Sequence, residues 1–379
     1  MSGIYIHIPF CKQACHYCNF HFSTSLKYKN ELIAALLQEI ELRKDYLPTP
    51  KIETVYFGGG TPSLLSADEI QQIFEQLNRF YHIEADAEIT LEANPDDLLP
   101  AKIEALKQTP VNRFSIGIQS FDAEDLAFMN RAHNVEQAET CIRLAQDAGF
   151  DNLTIDLIYG APTTSHEKWE QNLQKAIDFG VPHISAYCLT VEPKTALAHF
   201  VATGKAADVD EEQAAQQFEV LVETLTQAGF SHYEISNFGK VGWESKHNSS
   251  YWMGKPYIGL GPAAHSFDGR LTRQWNVAHN QQYIKAIAEG TVPKEVEVLS
   301  ISERFNEYLM TSLRTIWGCD LEKVRREFGE VLYCHLLKEI QPFLKQSLLQ
   351  QKGDFLVLTN QGKFLADGII SALFDCALD

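Results

Sequence analysis

Over residues 1–235, short apolar runs alternate with stretches in which apolar side chains recur every three or four positions. The runs Gly3–Ile8, Thr54–Phe57, Glu88–Glu92, Arg113–Ile118, Leu153–Ile158 and His183–Tyr187 predict six strands. Between them, Leu32, Leu36 and Ile40 share one helical face. Ser66 and Glu69 have the spacing of a capping box, and Ile70, Ile73, Phe74 and Leu77 follow at the i, i+3, i+4, i+7 positions of an amphipathic helix. Strands separated by helices pair in parallel through right-handed crossovers. Six β/α units are too few for a closed eight-fold barrel; they suit an open, partial barrel or a doubly wound sheet. Either architecture gathers its site at the carboxyl ends of the strands.

From 236 to 300 the periodicity weakens, and Gly, Asn, Trp and Tyr become frequent. This reads as an irregular connecting segment wrapped over a pocket. Over 301–379 helical spacing returns, with Phe305, Leu309 and Leu313 on one helix and Leu321, Val324 and Phe328 on a second. Leu348–Leu358, broken at Gly353-Asp354, predicts a hairpin, and Lys363–Phe374 a last helix. The pattern suits a small, mainly helical, winged-helix-like domain.

Composition narrows the class. The chain has 379 residues, 45% of them hydrophobic, enough for a sizeable core without staples. Asp and Glu outnumber Lys and Arg by 50 to 32, a net charge of -18. Such a surface repels phosphate backbones, so the winged-helix pattern is not expected to read nucleic acid. There is no run of about 18 apolar residues to span a bilayer, and MSGIYIHIPFCK is not a secretory signal. A cytosolic location is expected.

Of eight cysteines, Cys11, Cys15 and Cys18 are clustered as C-x3-C-x2-C directly after the first strand. The other five (Cys141, Cys188, Cys319, Cys334 and Cys376) are scattered and read as small core residues. Three thiolates leave a metal centre one ligand short. Zinc could take a fourth ligand from His7, His16 or His21. A 4Fe-4S cluster could instead keep one iron open to an external ligand. Gly58-Gly59-Gly60-Thr61-Pro62 follows the second strand, where side-chain-free backbone can approach a ligand closely. It is not a Walker loop. Gly259-x-Gly261-x-x-Ala264 echoes a dinucleotide fingerprint, but it contains Pro262 and reads as a loop.

The cysteine triad after strand one and the glycine loop after strand two resemble the radical S-adenosylmethionine (SAM) superfamily. The chain is more closely similar to the oxygen-independent coproporphyrinogen oxidase family. The shared patterns are Tyr5-x-His7-Ile8-Pro9-Phe10-Cys11, Glu92-x-Asn94-Pro95, Gly117-x-Gln119-Ser120 and Ile155-Asp156-Leu157-Ile158-Tyr159-Gly160. The resemblance spans nearly the whole chain and implies a partial (β/α)6 TIM-like barrel of parallel strands with a smaller C-terminal domain.

It also implies roles. Cys11, Cys15 and Cys18 would hold a 4Fe-4S cluster whose fourth iron is chelated by SAM. Tyr17 would pack on the adenine or offer its backbone, and Gly59, Gly60 and Thr61 would meet the methionyl amino group through backbone atoms. Tyr5 would lie near the cluster, and Glu92 would offer charge to a cationic ligand. Gln119, Arg131 and Asp156 match positions that hold a second SAM in the oxidase, and here they would hold such a molecule or simply line the pocket.

Two departures set the chain apart from the oxidase. That enzyme has a further cysteine two places after the third, where this chain has Phe20, and it has an N-terminal extension ahead of its first strand. The pattern instead resembles the HemW branch, the haem chaperones, through His247-Asn248-Ser249-Ser250-Tyr251-Trp252 and the run from Gly259 to Ser266. This resemblance implies haem as ligand and an acceptor protein as partner. His247 is the expected haem contact, with His265 behind it, because imidazole is a natural axial ligand.

Overall fold

The computed structural model describes residues 2–375; Cys376 lies outside them. All six expected strands form, and each extends beyond its apolar run: β1 (Ser2–Ile8), β2 (Lys51–Gly59), β3 (His82–Ala93), β4 (Arg113–Gln119), β5 (Leu153–Tyr159) and β6 (His183–Cys188). They lie side by side in chain order, all parallel. Their central segments are buried on both faces, as a parallel sheet covered by crossover helices requires. This is the expected partial (β/α)6 barrel. Ser66 and Glu69 do form a capping box, and the helix Ala67–Phe80 buries Ile70, Ile73, Phe74 and Leu77.

The segment 236–300 is more regular than its sequence suggests. It follows β7 (Ser231–Glu234) and contains β8 (Asn237–Gly239), β9 (Tyr257–Leu260), β10 (His265–Phe267), β11 (Thr272–Asn276) and β12 (Lys294–Val298). β9 adds in parallel to the free edge of β1, and β10–β12 continue the sheet antiparallel; β8 and β7 close the opposite edge beyond β6. These strands are three to five residues long, too short for alternation to be read, so pairing rather than periodicity defines them. Gly259 and Gly261 sit where a Cβ would strike the His265 carbonyl and the His7 carbonyl, so this glycine pair serves close strand packing.

The C-terminal domain has its own core. Helices Ile301–Ser312 and Leu321–Phe328 bury Phe305, Leu309, Val324 and Phe328 against a small sheet. That sheet is β13 (Cys319–Asp320) with the hairpin β14 (Leu349–Lys352) and β15 (Phe355–Leu358), the wing of a winged-helix arrangement. The expected last helix is two short ones, Asn360–Phe364 and Ala366–Ala372. Among the described residues no helix is long and apolar enough to cross a membrane.

Candidate functional site

The carboxyl ends of β1–β6 surround a cavity of about 470 Å³. Cys11, Cys15 and Cys18 lie on its wall, in the loop that leaves β1. Backbone bonds pin this loop on both sides: Cys11 N–H donates to the Ser23 carbonyl (3.0 Å), and His16 N–H to the Met129 carbonyl (3.1 Å). The Gln13 amide donates to Asn130, and the Asn130 amide to the Ala14 carbonyl. Burial pushes the Cys11 thiol up to about 11 and raises that of Cys18 as well. A thiolate here therefore needs a positive partner such as a metal.

The glycine loop at the end of β2 forms the adjoining wall. Gly60 N–H donates to the Ile8 carbonyl, and a Cβ on Gly60 would lie 2.6 Å from the Phe10 carbonyl oxygen. Gly59 has φ 111°, and a Cβ there would meet the His7 ring at 2.5 Å. Neither position has room for a side chain, which leaves bare backbone facing the cavity.

Glu92 reaches in from β3. Its carboxylate accepts from the Tyr56 hydroxyl (2.8 Å) and from Gly59 N–H (3.1 Å). Burial, with the nearby Asp156 charge, still raises it to about 7, and burial raises Asp156 on β5 to about 6. Two desolvated carboxyls in one cavity favour a ligand that brings positive charge. Gln119, which ends β4 in the left-handed region (φ 66°), also lines the cavity. The Arg131 guanidinium donates to Cys15 Sγ (3.2 Å), the Tyr17 hydroxyl (3.4 Å), Asn94 Oδ1 (2.8 Å) and the Gly117 carbonyl (2.8 Å), while its Nε is buried without a partner. Arg131 thus ties the cysteine loop to β4.

Among the described residues no three His, Cys, Asp or Glu side chains converge closely enough to hold a single metal ion. The histidines considered for zinc are engaged elsewhere: His7 with the Tyr5 hydroxyl and the His21 carbonyl, His16 with the Phe128 carbonyl, His21 with Asn280. Three thiols lining one cavity, with none of these histidines left to complete a tetrahedral set, fit a cluster with an open position better than one tetrahedral ion. The side-chain-free loop and the paired carboxyls fit a cationic ligand beside it.

Most of the expected residues meet here: the three cysteines, Tyr17, Gly59, Gly60, Thr61, Glu92, Gln119, Arg131 and Asp156 all line the cavity. Tyr5 does not. Its ring stacks on Tyr56 (6.1 Å between centroids) and faces a second cavity that shares Asn19 and Phe20 with the first.

His247 is also displaced from its expected role. It is 1% exposed, its Nδ1 bonded to Thr54 Oγ1 (2.7 Å) and its Nε2 to the Tyr251 hydroxyl (2.7 Å), with its ring stacked on Tyr56. Burial lowers it to about 3, so it is a neutral structural group with no nitrogen left for iron. Its helix, Lys246–Trp252, is docked by Glu88, whose carboxylate accepts from Lys246 and His247 N–H groups. The motif's Asn248 reaches the cavity instead, as do Arg113 and Tyr187, which no local spacing marks as site residues.

Residues 5–183 match the family described as Radical SAM superfamily, and residues 299–365 match the HemN C-terminal domain. The chain is 33% identical over 375 residues to the heme chaperone HemW of Bacillus subtilis, covering 98% of this chain and 99% of that protein. It is 35% identical over 379 residues to HemW of Mycobacterium tuberculosis (98% and 94% covered), and 31% identical over 382 residues to HemW of Escherichia coli (97% of each). Among solved structures, the coproporphyrinogen III oxidase HemN of Escherichia coli superposes with a TM-score of 0.84 at 23% identity, over 100% of this chain and 90% of that one. At that identity the likeness concerns the fold.

Proposed function

The chain belongs to the HemW family of the radical SAM superfamily, and from that premise we propose that it is a cytosolic haem chaperone, which binds haem and passes it to an acceptor protein. In this reading residues 1–235 hold the cofactors, 236–300 cover the pocket and 301–379 form the C-terminal domain. Cys11, Cys15 and Cys18 hold a 4Fe-4S cluster. The backbone of Gly59, Gly60 and Thr61, with Glu92, holds SAM beside it, while Arg131 keeps the cysteine loop in register. Gln119 and Asp156 hold a second SAM or simply shape the pocket. When bound, the cluster with SAM supplies one-electron reducing chemistry.

The observation that carries the chaperone reading is Phe20. It stands where the oxidase pattern has a fourth cysteine, it lines the cavity, and its ring is 69% exposed. Phenylalanine can neither ligate metal nor carry a proton. The oxidase reading draws support from the shared fold, so the test compares the two. Protein with its cluster reconstituted without oxygen is given haem or coproporphyrinogen III, with SAM. The chaperone binds haem stoichiometrically, releases it to an apo-haemoprotein and leaves the porphyrinogen intact. Conversion to protoporphyrinogen with loss of SAM would reinstate the oxidase.

A further inference from the structure

The second cavity, about 990 Å³, is lined by none of the three cysteines, the glycine loop or Glu92. It is at the upper end of small-molecule clefts, which run to roughly 1,000 Å³. Its walls come from β10, the end of the helix Lys246–Trp252, and the C-terminal helices Ile301–Ser312 and Leu321–Phe328.

Three histidines line it. The ring nitrogens of His7 bond Tyr5 and the His21 carbonyl, and His21 bonds Asn280. His265 differs: it is exposed, it stacks on Trp275 (5.9 Å, 27°), and among the described residues its ring makes no hydrogen bond. The cations are equally distinctive. Arg270, Arg304 and Lys323 make no ion pair among the described residues, in a chain of net charge -18. The carboxylates on this wall are already taken, Glu307 by Arg273 (2.5 and 2.7 Å) and Glu327 by Arg326 (3.3 Å). The remaining surface is apolar and open, with Phe20 69% and Met253 48% exposed beside Trp252.

A free imidazole, unpaired cations and exposed aromatic surface call for a flat apolar ligand with an anionic edge and a metal at its centre. We propose that this cavity is the haem seat, with His265 as axial ligand to the iron and Arg270, Arg304 and Lys323 holding the propionates. The inference rests on the chaperone reading and gives it a location. The imidazole lone pair forms the bond to iron, and no electron is transferred. Because Arg304 and Lys323 belong to the C-terminal domain, the bound haem bridges that domain to the sheet edge.

Full-length, cluster-loaded protein is titrated with ferric haem and, separately, with iron-free protoporphyrin. In His265→Ala the Soret and electron paramagnetic resonance spectra of bound haem change, affinity falls roughly tenfold, and added imidazole restores the wild-type spectrum. His265→Met yields a third spectrum, because sulfur replaces nitrogen on iron. The paired change Arg304→Glu and Lys323→Glu weakens haem and protoporphyrin alike, while His265→Ala weakens haem only. Iron and sulfide content equal to wild type shows that each variant is folded. Unchanged spectra in both His265 variants, or the same change produced by His21→Ala, would overturn the haem seat and leave the chaperone reading standing. Failure of the wild type to bind haem would overturn both.

Discussion

The cavity at the strand ends and the cavity against the C-terminal helices differ in the charges left unpaired on their walls. The first sets two carboxyls, Glu92 and Asp156, in one cavity with three thiols, and both of its arginines are committed, Arg131 to holding the loop and Arg113 to Glu88 and Thr154. The second presents three unpaired cations and exposed rings. SAM has a net positive charge, whereas haem has anionic propionates. On the proposed assignment, two ligands that must not exchange places are separated by the sign of the field each cavity provides, and Phe20 lines both cavities.

The largest effect expected is at the first cavity alone. Replacing Cys11, Cys15 and Cys18 by Ala removes the cluster altogether, measured as iron and sulfide per chain, while haem still binds with wild-type stoichiometry. Loss of both ligands together would break the distinction. Gly60→Ala forces a methyl against the Phe10 backbone and costs about 2 kcal/mol in chemical unfolding, with SAM affinity reduced and haem affinity unchanged.

His247→Ala leaves Thr54 and Tyr251 without their buried partner and costs about 2 kcal/mol of stability, yet the spectrum of bound haem stays that of the wild type. A stable variant with an altered haem spectrum would return His247 to the iron. The smallest effect is a pH dependence. Glu92 and Asp156 hold their protons up to about 7 and about 6, above ordinary carboxyls, so their charge is absent at low pH and develops as pH rises through that window. Their burial therefore penalises the ligand-free fold only above it, and a cationic ligand relieves that penalty. SAM affinity accordingly rises from about pH 5 to about pH 8, and Glu92→Gln flattens the rise. Equilibrium dialysis across that range measures it.

The same contrast governs what the sequence discloses. The first cavity is built from loops directly after strands, so Cys11-x3-Cys15-x2-Cys18 and Gly58-Gly59-Gly60 announce it, and Glu92, Gln119 and Asp156 follow from family patterns at successive strand ends. The second is assembled by packing residues about 300 positions apart, from Phe20 to Lys323, and isolated Arg and Lys residues look like any solvated surface. His247 misled for a related reason. A histidine amid aromatic residues suits iron or a buried hydrogen-bond pair equally well, and only the docking of its helix on Thr54 and Glu88 shows which it is. β8 and β9 were illegible because their register depends on β6 and β1, distant in the chain, and β10–β12 because each is too short for alternation to show.

Simultaneous titration bears most directly on the account of two cavities for two ligands. Cluster-loaded protein saturated with SAM is titrated with haem, and bound SAM is quantified at each step. The account predicts one haem per chain with no SAM released. Displacement of SAM by haem in proportion to haem added would contradict it.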